Sequence, residues 1–265
     1  MYTGASTMGK IITIHSFRGG TGKSNITANL AMWAAMKGRS VGVMDTDIQS
    51  PGLHVLFGLS DYRFRFTLND YLRKKCTIEK ATLDHTKAMK LKSGTLHIIP
   101  ASLNADDIST IIREGYEISD LRAGFKRIMQ AKNLDFLFID THPGLDQETL
   151  LSMATTDLLF VVMRLDQQDF LGTAITLALA KKLGVPSTYI VCNKCPGIYD
   201  FDKVKKDIER EYNQKVVTVV PLFTRLIELG SRQLLVQTNP SHLFAQNIDQ
   251  LYKQCEAVLN NQHSK

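Results

Sequence analysis

The run Phe17-Arg18-Gly19-Gly20-Thr21-Gly22-Lys23-Ser24 constrains this chain more than any other segment. It follows Lys10–His15, a short apolar run of strand composition, and precedes Asn25–Met36, which reads as a helix. A glycine-rich turn from strand into helix lets backbone N–H groups close around phosphate oxygens, and the helix N-terminus adds partial positive charge. In such a loop Lys23 neutralises the β- and γ-phosphates and the Ser24 hydroxyl ligates Mg²⁺. The ordinary pattern has glycine five positions before Gly22, where this chain has Phe17, and it offers a cation, Arg18, directly before Gly19-Gly20.

Two later segments deliver carboxylates. Val41–Asp47 is an apolar strand ending in Asp45 and Asp47. Alternation along a strand puts residues two apart on the same face, so both reach one edge of the sheet. An isolated Asp-x-Asp is more often a solvated strand end; one helix after a phosphate loop it points to function. Leu134–Asp140 is a buried parallel strand that carries Asp140 to its C-terminal edge, followed by the turn Thr141-His142-Pro143-Gly144. His142 beside a proline reads as an ordinary polar turn residue and is left out of the site. Thr188–Asn193 and Val216–Leu222 are further strands, the first ending in Asn193-Lys194 and the second near Pro221.

Apolar strands alternate with amphipathic helices throughout, which predicts an α/β fold: one P-loop domain with a mostly parallel twisted sheet and helices on both faces. Its expected extent is residues 10–260, with residues 1–9 a flexible lead-in, Met8 an alternative start, and residues 261–265 a short polar tail. No secretory signal or transmembrane stretch is expected. Residues 61–92, basic and polar, read as a helix-and-loop excursion on the surface.

The loop resembles that of the deviant Walker A ATPases of the ParA/MinD type, Lys-Gly-Gly-x-Gly-Lys-Ser/Thr, with Arg18 standing at the signature lysine. The landmarks keep the family's order from Arg18 to a final helix near Leu259, so the resemblance covers nearly the whole chain. It implies a homodimer that sandwiches ATP, with the Arg18 position reaching the partner's phosphates. An arginine there keeps the charge and adds a planar fork of donors. It implies Mg²⁺ held near Ser24, Asp45 and Asp140, the last as the Walker B aspartate acting through a water. It implies Asp47 as the carboxylate that orients or activates the attacking water, so that Arg18, Lys23 and Asp47 form the catalytic set. Gly19, Gly20, Thr21, Gly22, Lys23, Ser24 and Asn25 would hold the phosphates with Arg18. The turn Thr141–Gly144 would sense the γ-phosphate, Asn193 would hydrogen-bond the base, and Pro221 would sit at the base pocket. GTPases carry Asn-Lys-x-Asp; here Pro196 replaces the aspartate, which favours ATP.

Cys76, Cys192, Cys195 and Cys255 make no disulfide framework in a chain of 265 residues, and a reducing cytoplasm is their natural home. Cys192 and Cys195 form a C-x-x-C, which raises an iron–sulfur carrier as an alternative. In relatives with a cluster the pair lies beyond the asparagine strand, whereas here it straddles Asn193-Lys194. One pair also supplies half of a four-thiolate site, so a dimer would provide the rest.

The formal charge of +6 and isoelectric point near 9.1 favour polyanions. Candidate cations are Arg63, Arg65, Arg73, Lys74 and Lys75, and Lys203, Lys205, Lys206, Arg210 and Lys215; each alone is more simply a solvated face. A MinD-like membrane tail is not expected. The last helix, Ser241–Leu259, puts Phe244, Ile248, Leu251, Cys255 and Val258 on one face, the stripe of a helix packed on its own core. The function expected from the resemblance is an ATP-dimerised switch that positions an intracellular cargo on the nucleoid, with non-specific DNA and a small adaptor or stimulator protein as partners. The alternatives are an iron–sulfur carrier ATPase, a MinD-like division-site regulator, or a metabolic P-loop kinase or ligase.

Overall fold

Near-continuous apolar runs mark strands that are covered on both faces. In the computed structural model, which describes residues 9–59 and 64–260, such runs make the centre of an eight-stranded sheet. The strands are β1 (Lys10–His15), β2 (Ser40–Asp45), β3 (Leu83–Asp84), β4 (Thr95–Ile99), β5 (Phe136–Asp140), β6 (Leu158–Met163), β7 (Thr188–Cys195) and β8 (Val216–Pro221). They stand in the order β3-β4-β2-β5-β1-β6-β7-β8, and every pairing is parallel except that of β3 with β4. After β1 the chain first builds one side of the sheet and later returns to build the other from β6. The carboxyl end of β1 is therefore the topological switch point, where ligands of open α/β sheets bind.

The helices are α1 (Lys23–Met36), α2 (Leu53–Leu56), α3 (Leu68–Leu72), α4 (Ala105–Glu114), α5 (Ile118–Ala131), α6 (Gln147–Thr155), α7 (Gln167–Lys182), α8 (Phe201–Tyr212), α9 (Thr224–Glu228), α10 (Leu235–Thr238) and α11 (Leu243–Asn260). Strand alternation divides them into two layers. Ile12, Ile14, Phe136, Phe138 and Phe160 face α1, α10 and α11 in the largest core cluster. Leu137 and Ile139 meet α5, Leu159 and Val161 meet α6 and α7, and Ile190 and Cys192 meet α8. Helix α11 buries Phe244, Ile248, Leu251 and Cys255 as its stripe predicts, with Val258 packed partly against the same cluster.

The structure departs from the sequence reading at several points that bear on the site and core. Helix α1 begins at Lys23, two residues earlier than the apolar pattern shows, because the phosphate loop itself enters the helix. Strand β2 ends at Asp45, so Asp47 lies in the loop beyond it. The described part of the excursion, residues 64–92, is only partly surface. Leu68, Leu72 and Ile78 are buried against Ile99, Leu121 and Phe125, and a capping box between Thr67 and Asp70 starts α3. Leu68 and Leu72, four apart on one helical face, carried that signal among the charged residues. Residues 1–8, Arg63 and the tail at 261–265 lie outside the described residues. No helix among the described residues is long and apolar enough to cross a membrane.

Candidate functional site

Gly20 and Gly22 hold the loop after β1 in left-handed backbone, with φ of 79° and 89°. A side chain is strained there, and at Gly22 a Cβ would also stand 2.5 Å from Asn193 Nδ2. Gly22 is the N-cap of α1, and no side chain caps this end. The first N–H groups of α1 are thus left for a ligand. Two residues at the end of β7 pin the loop from the side. Asn193 Nδ2 donates to the Thr21 carbonyl at 2.7 Å, and Lys194 Nζ donates to the Gly20 carbonyl at 2.7 Å. Asn193, expected beside the base, therefore also fixes the phosphate loop.

Lys23 is buried, and its Nζ lies 3.0 Å from Asp140 Oδ1. Thr27, one helical turn on, donates to the same oxygen at 2.9 Å. Asp140 is level with Asp45 across the β2–β5 pairing. Burial and the neighbouring Asp140 charge raise the Asp45 carboxyl well above its ordinary pKa, while N–H donors at Gly52 and Leu53 partly offset this. Two buried carboxylates facing each other across adjacent strands form a set that favours a divalent cation, and Ser24 stands half-buried in the first turn of α1 nearby.

Asp47 reaches the site by a different route from the one strand alternation gives. Its N–H donates to Asp45 Oδ1 at 3.1 Å, turning the chain beyond β2. Its own Oδ1 accepts from the Ser50 N–H at 2.9 Å and meets His142 Nδ1 at 2.9 Å. His142, set aside in the sequence, thus touches a residue of the predicted catalytic set. No local spacing signals this, because the contact joins residues 95 apart in the chain.

Arg18 is exposed and its guanidinium bonds to Gln168 in the first turn of α7. Phe17, in place of the usual glycine, lies against Gly172 of the same helix. Asn25 accepts from Asn29 Nδ2 through both its side-chain and backbone oxygens. A cavity of about 590 Å³ gathers these groups. Arg18, Gly19, Gly20, Thr21, Gly22, Lys23, Ser24, Asn25, Asp45, Asp47, Asp140, Asn193 and Pro221 all line it. Phe223, Leu226 and Ile227, which the sequence did not single out, form an apolar wall at its far side.

Cys192 and Cys195 both lie in β7 and both are fully buried. Burial raises both thiols, Cys192 to about 12, with the nearby Cys195 adding to the shift. Among the described residues no group of three or more His, Cys, Asp or Glu is placed to hold a metal ion. Several of the expected surface cations are engaged in ion pairs: Arg73 with Asp107 and Glu114, Lys74 with Asp120, Lys75 with Asp70, and Arg210 with Asp207.

A glycine turn leading into a helix N-terminus that no side chain caps, a lysine in its first turn and strand-end carboxylates at the switch point of a parallel sheet define a P-loop nucleoside triphosphatase. Within that class the chain belongs to the ParA family, which it matches over residues 7–256 in the form described as NUBPL iron-transfer P-loop NTPase. It is a P-loop ATPase of the ParA/MinD type. An uncharacterized ATP-binding protein of Methanocaldococcus jannaschii is 29% identical over 79% of this chain and 73% of its own. The septum site-determining protein MinD of Thermotoga maritima is 25% identical over 92% and 87%. An iron–sulfur cluster carrier protein of Clostridium perfringens is 26% identical over 87% and 83%. The solved MinD of Pyrococcus horikoshii, complexed with Mg-ADP, superposes with a TM-score of 0.78 at 20% identity, over 97% of this chain and all of that one.

Proposed function

We propose that this ATPase binds Mg-ATP in the 590 Å³ cavity, dimerises around it, and works as a nucleotide-timed switch. The observation that carries the reading is the buried Lys23–Asp140 ion pair beneath the loop. Read this way, the pair brings the phosphate cation and the magnesium-side carboxylate together at the carboxyl edge of the sheet. In this reading the loop N–H groups and Lys23 hold the β- and γ-phosphates, and Pro221 with the apolar wall takes the base. Ser24, Asp45 and Asp140 fit a magnesium ion, whose charge would relieve the repulsion between the two carboxylates. Asp47 orients the attacking water. Arg18, on the exposed rim, supplies charge to the partner's phosphates.

The output is read as iron–sulfur cluster transfer, with the cluster as cargo. The support is the description of the family and the iron–sulfur cluster carrier among the relatives. In the chain itself it is the C-x-x-C at the end of β7, directly beneath the exposed turn 196–200. Because both thiols are closed from solvent, loading this pair requires that turn to move. The second reading is a MinD-like regulator that acts by protein contact alone. It is favoured by the buried state of the pair and by the Thermotoga MinD, which matches nearly the whole chain. Positioning a cargo on DNA has less support, since Arg73, Lys74, Lys75 and Arg210 already have acidic partners. Anaerobic reconstitution with iron and sulfide separates the outputs. A carrier binds iron with the visible absorbance of an iron–sulfur centre, and loses it in the Cys192→Ser, Cys195→Ser double variant. Protein that stays colourless, or that keeps its iron in the double variant, rejects transfer through this pair and leaves the regulator.

A further inference from the structure

We infer that His142 is a positioning residue for ATP hydrolysis, holding the Asp47 carboxylate from the turn that follows β5. The inference rests on the reading of Asp47 as the water-orienting group. An ionised carboxylate can only accept, so the 2.9 Å contact is an Nδ1–H donating to Asp47 Oδ1. The same oxygen accepts the Ser50 N–H at 2.9 Å. Two donors on Oδ1 fix the plane of the carboxylate, and among the described residues Oδ2 has no protein donor. Oδ2 is thus the oxygen left to accept from a water in the cavity that Asp47 lines.

The imidazole is itself well placed to hold that geometry. The His142 carbonyl accepts from Thr149 Oγ1 at 3.3 Å, which ties the turn to α6. The preceding Thr141 Oγ1 donates to the Ile14 carbonyl at 3.2 Å, which ties it to β1. His142 therefore joins the loop after β2, which carries Asp47, to the turn after β5, beyond the two bonds that Thr46 gives the Asp140 carbonyl. A shift of the second loop would release or re-aim the carboxylate on the first. The imidazole is half-buried, with 29% of its side chain exposed.

The test is steady-state Mg-ATP hydrolysis by the full chain carrying H142A, H142N, H142Q, D47A or D47A/H142A. Asparagine sets an N–H donor near the place of Nδ1, whereas glutamine sets one near Nε2. H142A should lower kcat roughly 10- to 100-fold, the scale of a lost charge-assisted hydrogen bond, with KM for ATP within about twofold. H142N should recover most of kcat and H142Q should not. In the D47A background H142A should cost nothing further, because the histidine acts only through that carboxylate. Wild-type kcat in H142A, equal rates in H142N and H142Q, or losses that add in the double variant would each overturn the inference. If H142A fails to fold, the comparison of H142N with H142Q still decides. Wild-type protein without ATPase activity, or D47A at the wild-type rate, would instead reject the reading of Asp47 itself.

Discussion

The motif assigns Lys23 to the phosphates, and the structure adds a second, structural contact that the motif does not contain. The spacing of the glycines identifies it as the phosphate lysine, and a loop lysine of that kind suggests an exposed side chain with little bearing on the fold. In the structure its ammonium is buried against Asp140, with side-chain exposures of 5% and 2%. Removing one partner of a buried pair leaves an uncompensated charge, at a cost of about 3–5 kcal/mol. Here Thr27 remains as a donor to Asp140, so the lower part of that range is expected. Lys23→Ala should therefore lose ATP binding and also lower the melting temperature, by about 2–4 °C for each kcal/mol in a domain of this size. Isothermal titration with ATP and a thermal melt check the two effects separately. Unchanged affinity would mean the loop is not the site, and an unchanged melt would mean the ion pair contributes nothing to the fold.

At the scale of elements, the departure at Phe17 finds its reason in α7. A Cβ built on Gly172 would stand 2.2 Å from Phe17 Cδ1 and 2.6 Å from its Cβ. Because the Phe17 Cβ is also close, turning the ring does not clear the space. A glycine in a helix interior ordinarily gains about 0.5–1 kcal/mol when replaced by alanine. Overpacking of this kind costs about 1–3 kcal/mol, so the clash should win. Gly172→Ala is expected to destabilise the protein and to displace the front of the loop, including Arg18 and its bond to Gln168. Its signature is a lower melting temperature with a raised KM for ATP; a stabilised variant with normal KM would show that Phe17 is free to move. The same scale separates what was legible in the sequence from what was not. The parallel sheet, the strand-ended carboxylates and the stripe on α11 were legible because each depends on a local period. The burial of α3 was obscured by the charged residues around Leu68 and Leu72. The contacts of Asn193 with Thr21 and of His142 with Asp47 join distant segments, and no spacing along the chain encodes them.

In the proposed dimer, Arg18 is the residue that decides whether one subunit completes the other's site. It is exposed on the rim of the cavity, and its guanidinium is held by Gln168 of α7 in its own chain. Exchanging that amide for a phosphate replaces a neutral acceptor by a charged one, and a guanidinium can make two charge-assisted bonds to it. A phosphate would therefore compete with Gln168 for the guanidinium. Arg18→Ala should impair hydrolysis and ATP-dependent dimerisation while sparing nucleotide binding by the monomer. Mixing Arg18→Ala with Lys23→Ala subunits then tests the geometry. In a mixed dimer the Arg18→Ala subunit binds ATP and the Lys23→Ala subunit lends its arginine, so one complete site forms only if Arg18 acts across the interface. Partial recovery of ATPase activity on mixing is the expected result. An Arg18→Ala monomer that has itself lost ATP binding, with no recovery on mixing, would place the arginine on its own subunit's phosphates and make each site self-contained.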